Sequence, residues 1–173
     1  MTRHPFDPKQ FRQALGAFTT GVTIVTTRGA DGQDYGLTAN SFNSVSIDPP
    51  MVLWSISKGS SSAHAFTEGA DFAVHILATD QEPLSNRFAK SSTDKFAGLE
   101  LQRGPSDIPL LAGCSARFQC KTTYQYEGGD HIILVGEVLA FDRFEKAPLV
   151  FHSGAYRRLA PVWQQPDAAL SAR

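Results

Sequence analysis

Apolar and polar positions along the chain change period several times, and each change marks an element. Phe11, Leu15 and Phe18 recur at helical spacing behind Asp7-Pro8. Residues 7–16 are therefore predicted to form a short helix, with Asp7 as its cap, Pro8 in its first position and an apolar stripe. Past Gly21 the run Val22-Thr-Ile-Val-Thr-Thr27 is β-branched and reads as a strand. Gly29-Ala-Asp-Gly32 turns the chain into a second strand over residues 35–39. Ser44, Ser46 and Asp48 alternate with Val45 and Ile47, a strand with one polar face, and Pro49-Pro50 breaks it from another at 51–57. Such a strand is either a solvated sheet edge or a ligand-facing surface.

A short helix is predicted over 60–68, followed by a strand over 71–78 with Phe72, Val74 and Ile76 on one side. Thr79-Asp-Gln-Glu82 reads as a capping box for a helix carrying Leu84, Phe88 and Ala89. Residues 97–109 hold several Gly and Pro and read as an irregular loop. From Cys114 to Tyr126 the alternation turns Cys114, Ala116, Phe118 and Cys120 inward and Arg117, Gln119 and Lys121 outward. Glu127-Gly-Gly-Asp130 is a hairpin turn into a returning strand over 131–141, and strands at 148–152 and 156–159 close the set. The tail from Pro161 is expected to be mobile. No repeat or linker divides residues 1–173, so one domain with a core over residues 8–160 is expected. Short antiparallel strands with few helices predict a mainly β barrel rather than a βαβ sheet. No Gly-x-Gly-x-x-Gly follows a strand, which excludes a Rossmann-type dinucleotide site.

Composition narrows the function. With 173 residues, 42% hydrophobic, the chain is long enough to bury one substantial core. Sixteen basic against seventeen acidic residues leave no cationic excess for nucleic acid. No apolar run approaches the roughly 20 residues that span a bilayer, and the first residues lack an apolar signal core, so a cytoplasmic protein is expected. Cys114 and Cys120 lie about 20 Å apart along a regular strand. That distance forbids a disulfide between them, so buried free thiols are expected.

Candidate chemistry gathers in a few places. Ser55-Ile-Ser-Lys-Gly-Ser-Ser-Ser62 presents five hydroxyls and a lysine ahead of a helix. That set suits a phosphate, or it is a flexible loop with a solvated Lys58. Thr38, Asn40 and Ser41 are short polar groups able to meet a planar heterocycle rich in acceptors. His131 follows Gly128-Gly129-Asp130 at a hairpin mouth, where it is either structural or functional. His4, His64, His75 and His152 show no metal-ligand spacing with one another or with the cysteines, so no metal is expected. No Gly-x-Ser-x-Gly supports a hydrolase.

Five blocks in order carry a resemblance over residues 11–159. They are Phe11-Arg-Gln-Ala-Leu-Gly-Ala-Phe-Thr-Thr-Gly-Val-Thr-Ile-Val-Thr26, Thr38-Ala-Asn-Ser41, Leu53-Trp-Ser-Ile-Ser-Lys-Gly-Ser-Ser-Ser62, Leu84-Ser-Asn-Arg-Phe-Ala-Lys90 with Asp94-Lys-Phe96, and Gly129-Asp-His-Ile-Ile-Leu-Val-Gly-Glu-Val138. Together they resemble the short-chain flavin reductase family, the reductase components of two-component flavin-dependent monooxygenases, built on an FMN-binding split β-barrel of antiparallel, Greek-key-like strands.

The resemblance implies an NAD(P)H:flavin oxidoreductase that passes a hydride from NADH or NADPH to FMN or FAD and supplies reduced flavin to a separate monooxygenase. It implies a homodimer, because the family completes its site at the subunit interface. It puts Thr38, Ala39, Asn40 and Ser41 against the flavin, and Ser55, Ile56, Ser57, Lys58, Gly59, Ser60 and Ser61 around its phosphate. Lys58 stands where the family often has Arg, which keeps the charge and loses the bidentate fork. Ala89, Lys90, Lys95 and Phe96 border the flavin tail, Phe96 packing on an adenine if FAD is bound, whereas Phe88 reads as core. His131 takes the catalytic place, orienting the nicotinamide or stabilising charge on the reduced flavin, with Tyr156 and Arg157 on the nicotinamide side. Hydride transfer needs aligned rings rather than a protein nucleophile. His75 stands where the family pattern has Asn. The alternatives are a split-barrel protein that never releases its flavin and, more distantly, a small-ligand barrel without flavin chemistry.

Overall fold

The computed structural model describes residues 6–160 except 70 and 93, so the predicted mobile tail lies outside the described residues. The elements run α1 (Pro8–Leu15), β1 (Thr20–Gly21), β2 (Thr23–Arg28), β3 (Asp34–Ala39), β4 (Asn43–Ile47), β5 (Pro50–Ser57), α2 (Ala63–Glu68) and β6 (Asp71–Ile76). After these come α3 (Glu82–Ala89), β7 (Leu101–Arg103), β8 (Pro109–Leu111), β9 (Ala116–Gly128), β10 (His131–Arg143), β11 (Val150–His152) and β12 (Ala155–Arg157). All strand pairings among the described residues are antiparallel.

Seven strands form the main sheet in the order β3-β2-β6-β9-β10-β5-β4. β9 and β10, thirteen residues each, are its spine. The first half of β9 pairs with β6, from Ala116 opposite Ile76 to Lys121 opposite Asp71. The first half of β10 pairs with β5, from His131 opposite Ser57 to Glu137 opposite Met51. Register shifts at Val135/Gly136 and Val138/Ala140 bend the spine between these halves. Gly136 is needed there, because a Cβ would lie 2.5 Å from Cζ of Phe72. The bend brings the two flanks together. Ser41, just past β3, donates its hydroxyl to the Ser55 carbonyl at 3.1 Å and accepts the Ser55 N–H at 2.9 Å.

Trp54, Phe66, Phe72, Val25, Val74 and Leu134 form the barrel core. A second cluster of Ile24, Leu77, Phe88 and Leu149 lies beneath α3. β6 is buried on both faces rather than one. On its second face His75 is fully buried and joins three strands. Its Nδ1–H donates to the Ile24 carbonyl at 3.0 Å, and its Nε2 accepts the Leu111 N–H at 3.0 Å. Burial pushes the imidazole pKa down to about 4, against the backbone bond to Ile24, which raises it; the charge of Arg117 adds a further lowering. The departure from the family pattern is thus a neutral structural histidine.

Several local expectations change. The cap of α1 forms, with the Asp7 carboxylate accepting the Lys9 N–H, but the apolar stripe faces outward, Phe18 being 78% exposed. On β4 the apolar side is uncovered as well, Ile47 being 90% exposed. Pro49-Pro50 makes a tight connection with a cis Asp48–Pro49 peptide, and Pro50 already pairs with Ile47, so the two prolines close a hairpin. The cap before α3 is made by Gln81, whose Oε1 accepts the Ala78 N–H at 3.0 Å. Residues 97–109 are not irregular throughout, since β7 and β8 pair there. Arg117 is buried rather than outward, held by the Asp142 carboxylate at 2.7 Å and by Gln102 at 3.0 Å. Those partners arrive from β10 and β7, which alternation along β9 does not report.

Both thiols are free and buried. Burial, followed by the charge of Asp71, pushes Cys120 up to about 12, so it is inert.

Candidate active site

The site is built where β3, β5, the loop after β5 and the β9–β10 hairpin meet. Ser41 and Ser55 lock each other. Thr38 donates to the Ser85 carbonyl of α3 at 2.6 Å, and the Ala39 carbonyl accepts the Thr23 hydroxyl at 2.7 Å. Asn40 remains exposed beside them. The side chain of Ile56 is buried in the core, so this residue offers only its backbone to a ligand.

Beyond Ser57 the chain turns ahead of α2. Ser60 accepts the Ser62 N–H at 3.4 Å, and the Ser57 hydroxyl accepts the Gly59 N–H at 3.2 Å. Ser61 borders a cavity of 210 Å³ with Lys95, Phe96, Tyr35 and His64. Lys95 is tied there by bonds to the carbonyls of Phe88 (3.0 Å) and Gly36 (3.1 Å), and burial lowers its pKa. Phe96 stands edge-on to Phe88 at 5.0 Å. Both rings close over Gly36, where a Cβ would lie 2.6 Å from Phe88. Ala89 and Lys90 are exposed at the end of α3.

Lys58 leaves the loop on the other side. Its N–H donates to the Asp130 carbonyl at 3.0 Å, and its ammonium pairs with the Glu127 carboxylate. His131, paired across the sheet with Ser57, shares a 2.7 Å hydrogen bond between Nδ1 and the Asp130 carboxylate. That hydrogen bond is the main reason the Asp130 pKa is lowered. The serine-rich loop and His131, far apart in the chain, are thus direct neighbours. Sequence reading passed over Glu127 and Asp130 because Glu-Gly-Gly-Asp is a sufficient turn signal by itself.

Tyr156 and Arg157 sit elsewhere. The Tyr156 hydroxyl bonds Ser85 at 2.8 Å and Asn86 at 3.1 Å, anchoring β12 to α3. With Arg157, Arg158 and Glu82 it lines a separate cleft of 270 Å³. No hydrogen bond or ring contact joins Tyr156 to His131 among the described residues. The serine hydroxyls of the loop, with Lys58 on one side and Lys95 in the cavity on the other, are donors of the kind that fit a phosphorylated, acceptor-rich ligand.

Comparison with known proteins gives this architecture a family. The model of the flavin reductase like domain matches residues 15–160. The chain belongs to the flavin reductase-like family. Among its relatives, FMN reductase (NADH) SmoA of Agrobacterium fabrum is 45% identical over 152 residues, covering 88% of this chain and 86% of that protein. The reductase component of the flavin-dependent trigonelline monooxygenase of Acinetobacter baylyi is 46% identical over 86% of this chain, which spans only 48% of that relative. The solved NADH:FAD oxidoreductase SgcE6 of Streptomyces globisporus, in complex with NAD and FAD fragments, superposes with a TM-score of 0.86. It is 39% identical, over 94% of this chain and 100% of that one. The mainly β, antiparallel architecture is the split barrel of these flavin reductases.

Proposed function

We propose that this protein is an NADH-dependent flavin reductase that releases reduced FMN or FAD to a separate flavin-dependent monooxygenase. One observation carries the reading most directly. The Lys58 N–H bond to Asp130 joins a hydroxyl-rich, cationic loop to the hairpin bearing His131, on a flavin reductase-like fold. Phosphate chemistry and a ring-orienting imidazole therefore share one mouth.

When bound, the flavin accepts a hydride from the nicotinamide and carries it away in reduced form. The chain's own residues bind and orient. Lys58, Ser57, Ser60 and Ser61 are assigned to the phosphate, and Thr38 to Ser41 with Ser55 to the ring system. Lys95 and Phe96, beside Ala89 and Lys90, are assigned to the flavin tail. His131, fixed through Asp130, is assigned to align the nicotinamide. Tyr156 and Arg157, which line a separate cleft, are assigned to the nicotinamide side on the resemblance alone. NADH is preferred as the donor because relatives are named for it. Release of flavin is preferred over a fixed prosthetic group because a relative is named as a monooxygenase's reductase component.

The working unit is a homodimer. Phe42, Phe118 and Phe141 stack at 5.7 and 6.3 Å, and Phe141 is 70% exposed, an apolar row of the kind a second copy covers. Inert buried thiols suit the cytoplasm. NADH oxidation measured against added FMN, FAD and riboflavin tests the activity. Saturation with free flavin is expected, whereas a rate independent of added flavin would return the protein to the fixed-flavin class.

A further inference from the structure

We propose that Glu127 is an internal competitor for the flavin phosphate, holding Lys58 in the free protein and surrendering it to a phosphorylated flavin. This rests on the flavin reductase reading above and adds a residue that sets affinity among flavins. In the structure the Lys58 ammonium is ion-paired with the Glu127 carboxylate. Both side chains reach solvent, Lys58 being 42% and Glu127 76% exposed, and a pair so placed is weak and readily exchanged.

The backbone beneath the pair is fixed while its side chains are free. The Lys58 N–H is anchored to the Asp130 carbonyl, so the lysine stays beside the serine loop whichever anion it holds. Glu127 pairs with Ile132 near the end of β9, two residues before the Gly129-Asp130 turn, where Gly129 has φ +73°. Its side chain is exposed, so the carboxylate can change partner while the strand pairing stays as it is. The Asp130 carboxylate, hydrogen-bonded to His131, also feels the charge of Lys58. Once phosphate takes Lys58, Glu127 is left unpaired close to a doubly negative group.

The consequence is selective. A flavin with phosphate binds against the lost Lys58–Glu127 pair and the new repulsion, while riboflavin meets neither. The arrangement loosens FMN and FAD and favours their departure after reduction.

Fluorescence titration of the full chain with FMN and riboflavin tests this, using wild type, Glu127→Gln, Lys58→Ala and the double variant. Glu127→Gln is expected to tighten FMN about two- to fivefold, the range of an exposed ion pair, and to leave riboflavin unmoved. In the Lys58→Ala background the gain is expected to shrink, because the competitor has nothing left to hold. Unchanged or weakened FMN binding in Glu127→Gln, an equal gain with riboflavin, or a full gain without Lys58 would each overturn the proposal. If those results come with a wild type that binds both flavins and oxidises NADH in their presence, only the role of Glu127 falls. A wild type that binds neither flavin removes the functional reading and this inference together.

Discussion

Replacing His75 by asparagine should flatten the acid side of the stability profile. The imidazole is fully buried, donating to Ile24 from Nδ1 and accepting from Leu111 at Nε2, both at 3.0 Å. Burial of the charge, followed by the repulsion of Arg117, is why the pKa falls to about 4, and protonation would also put a second donor opposite the Leu111 N–H. The unfolded chain takes up a proton at this residue near pH 6.5, whereas the folded one resists until about pH 4. Stability from neutral His75 is therefore fully present above pH 6.5 and is lost as pH falls to 4. At 1.36 kcal/mol per pH unit, the whole window is worth about 3 kcal/mol. Asparagine keeps a donor toward Ile24 but cannot reach Leu111, so the variant should be less stable at pH 7.5 by about 1–3 kcal/mol. Urea unfolding of both proteins at intervals from pH 7.5 to 4 measures the difference, and carboxylates common to the two cancel. The gap should narrow through the window by about 3 kcal/mol, enough to close it or reverse its sign. Parallel curves would refute the assignment of a neutral, doubly bonded imidazole.

The apolar row should govern assembly. Phe141→Asp is expected to convert a dimer into a monomer in sedimentation, and a wild type that is monomeric yet reduces flavin at full rate would contradict the interface. His131→Ala should slow flavin reduction in stopped flow, by up to about 100-fold if nicotinamide alignment is lost, while flavin affinity stays nearly intact. Unchanged reduction kinetics would make His131 structural. Gly136→Ala should destabilise by about 1–3 kcal/mol, because its Cβ meets Phe72 at 2.5 Å, and Phe72→Leu in the same chain should recover part of that loss in urea unfolding.

What the sequence alone determined is the part that depends on neighbours within a few residues. The Asp7-Pro8 helix start, the β-branched run from Val22, the Gly29–Gly32 turn and the Gly-rich hairpin before His131 all formed where their local chemistry put them. Turn preference, capping and the periods of helix and strand act over such short spans. The family blocks further single out the loops to which chemistry is assigned in the proposed function.

Which face of each element is covered was decided only by the tertiary structure, since covering residues come from distant segments. Arg117 lies on the nominally outer face of β9 and is buried by Asp142 and Gln102. His75 is sealed by Ile24 and Leu111 from two other strands. Phe18 and Ile47, apolar and correctly periodic, stay exposed among the described residues. Lys58 meets Glu127 and Asp130 because β5 pairs with β10 in a register that sets Ser57 opposite His131. Strand register across more than seventy residues follows from whole-sheet packing, which no local pattern contains.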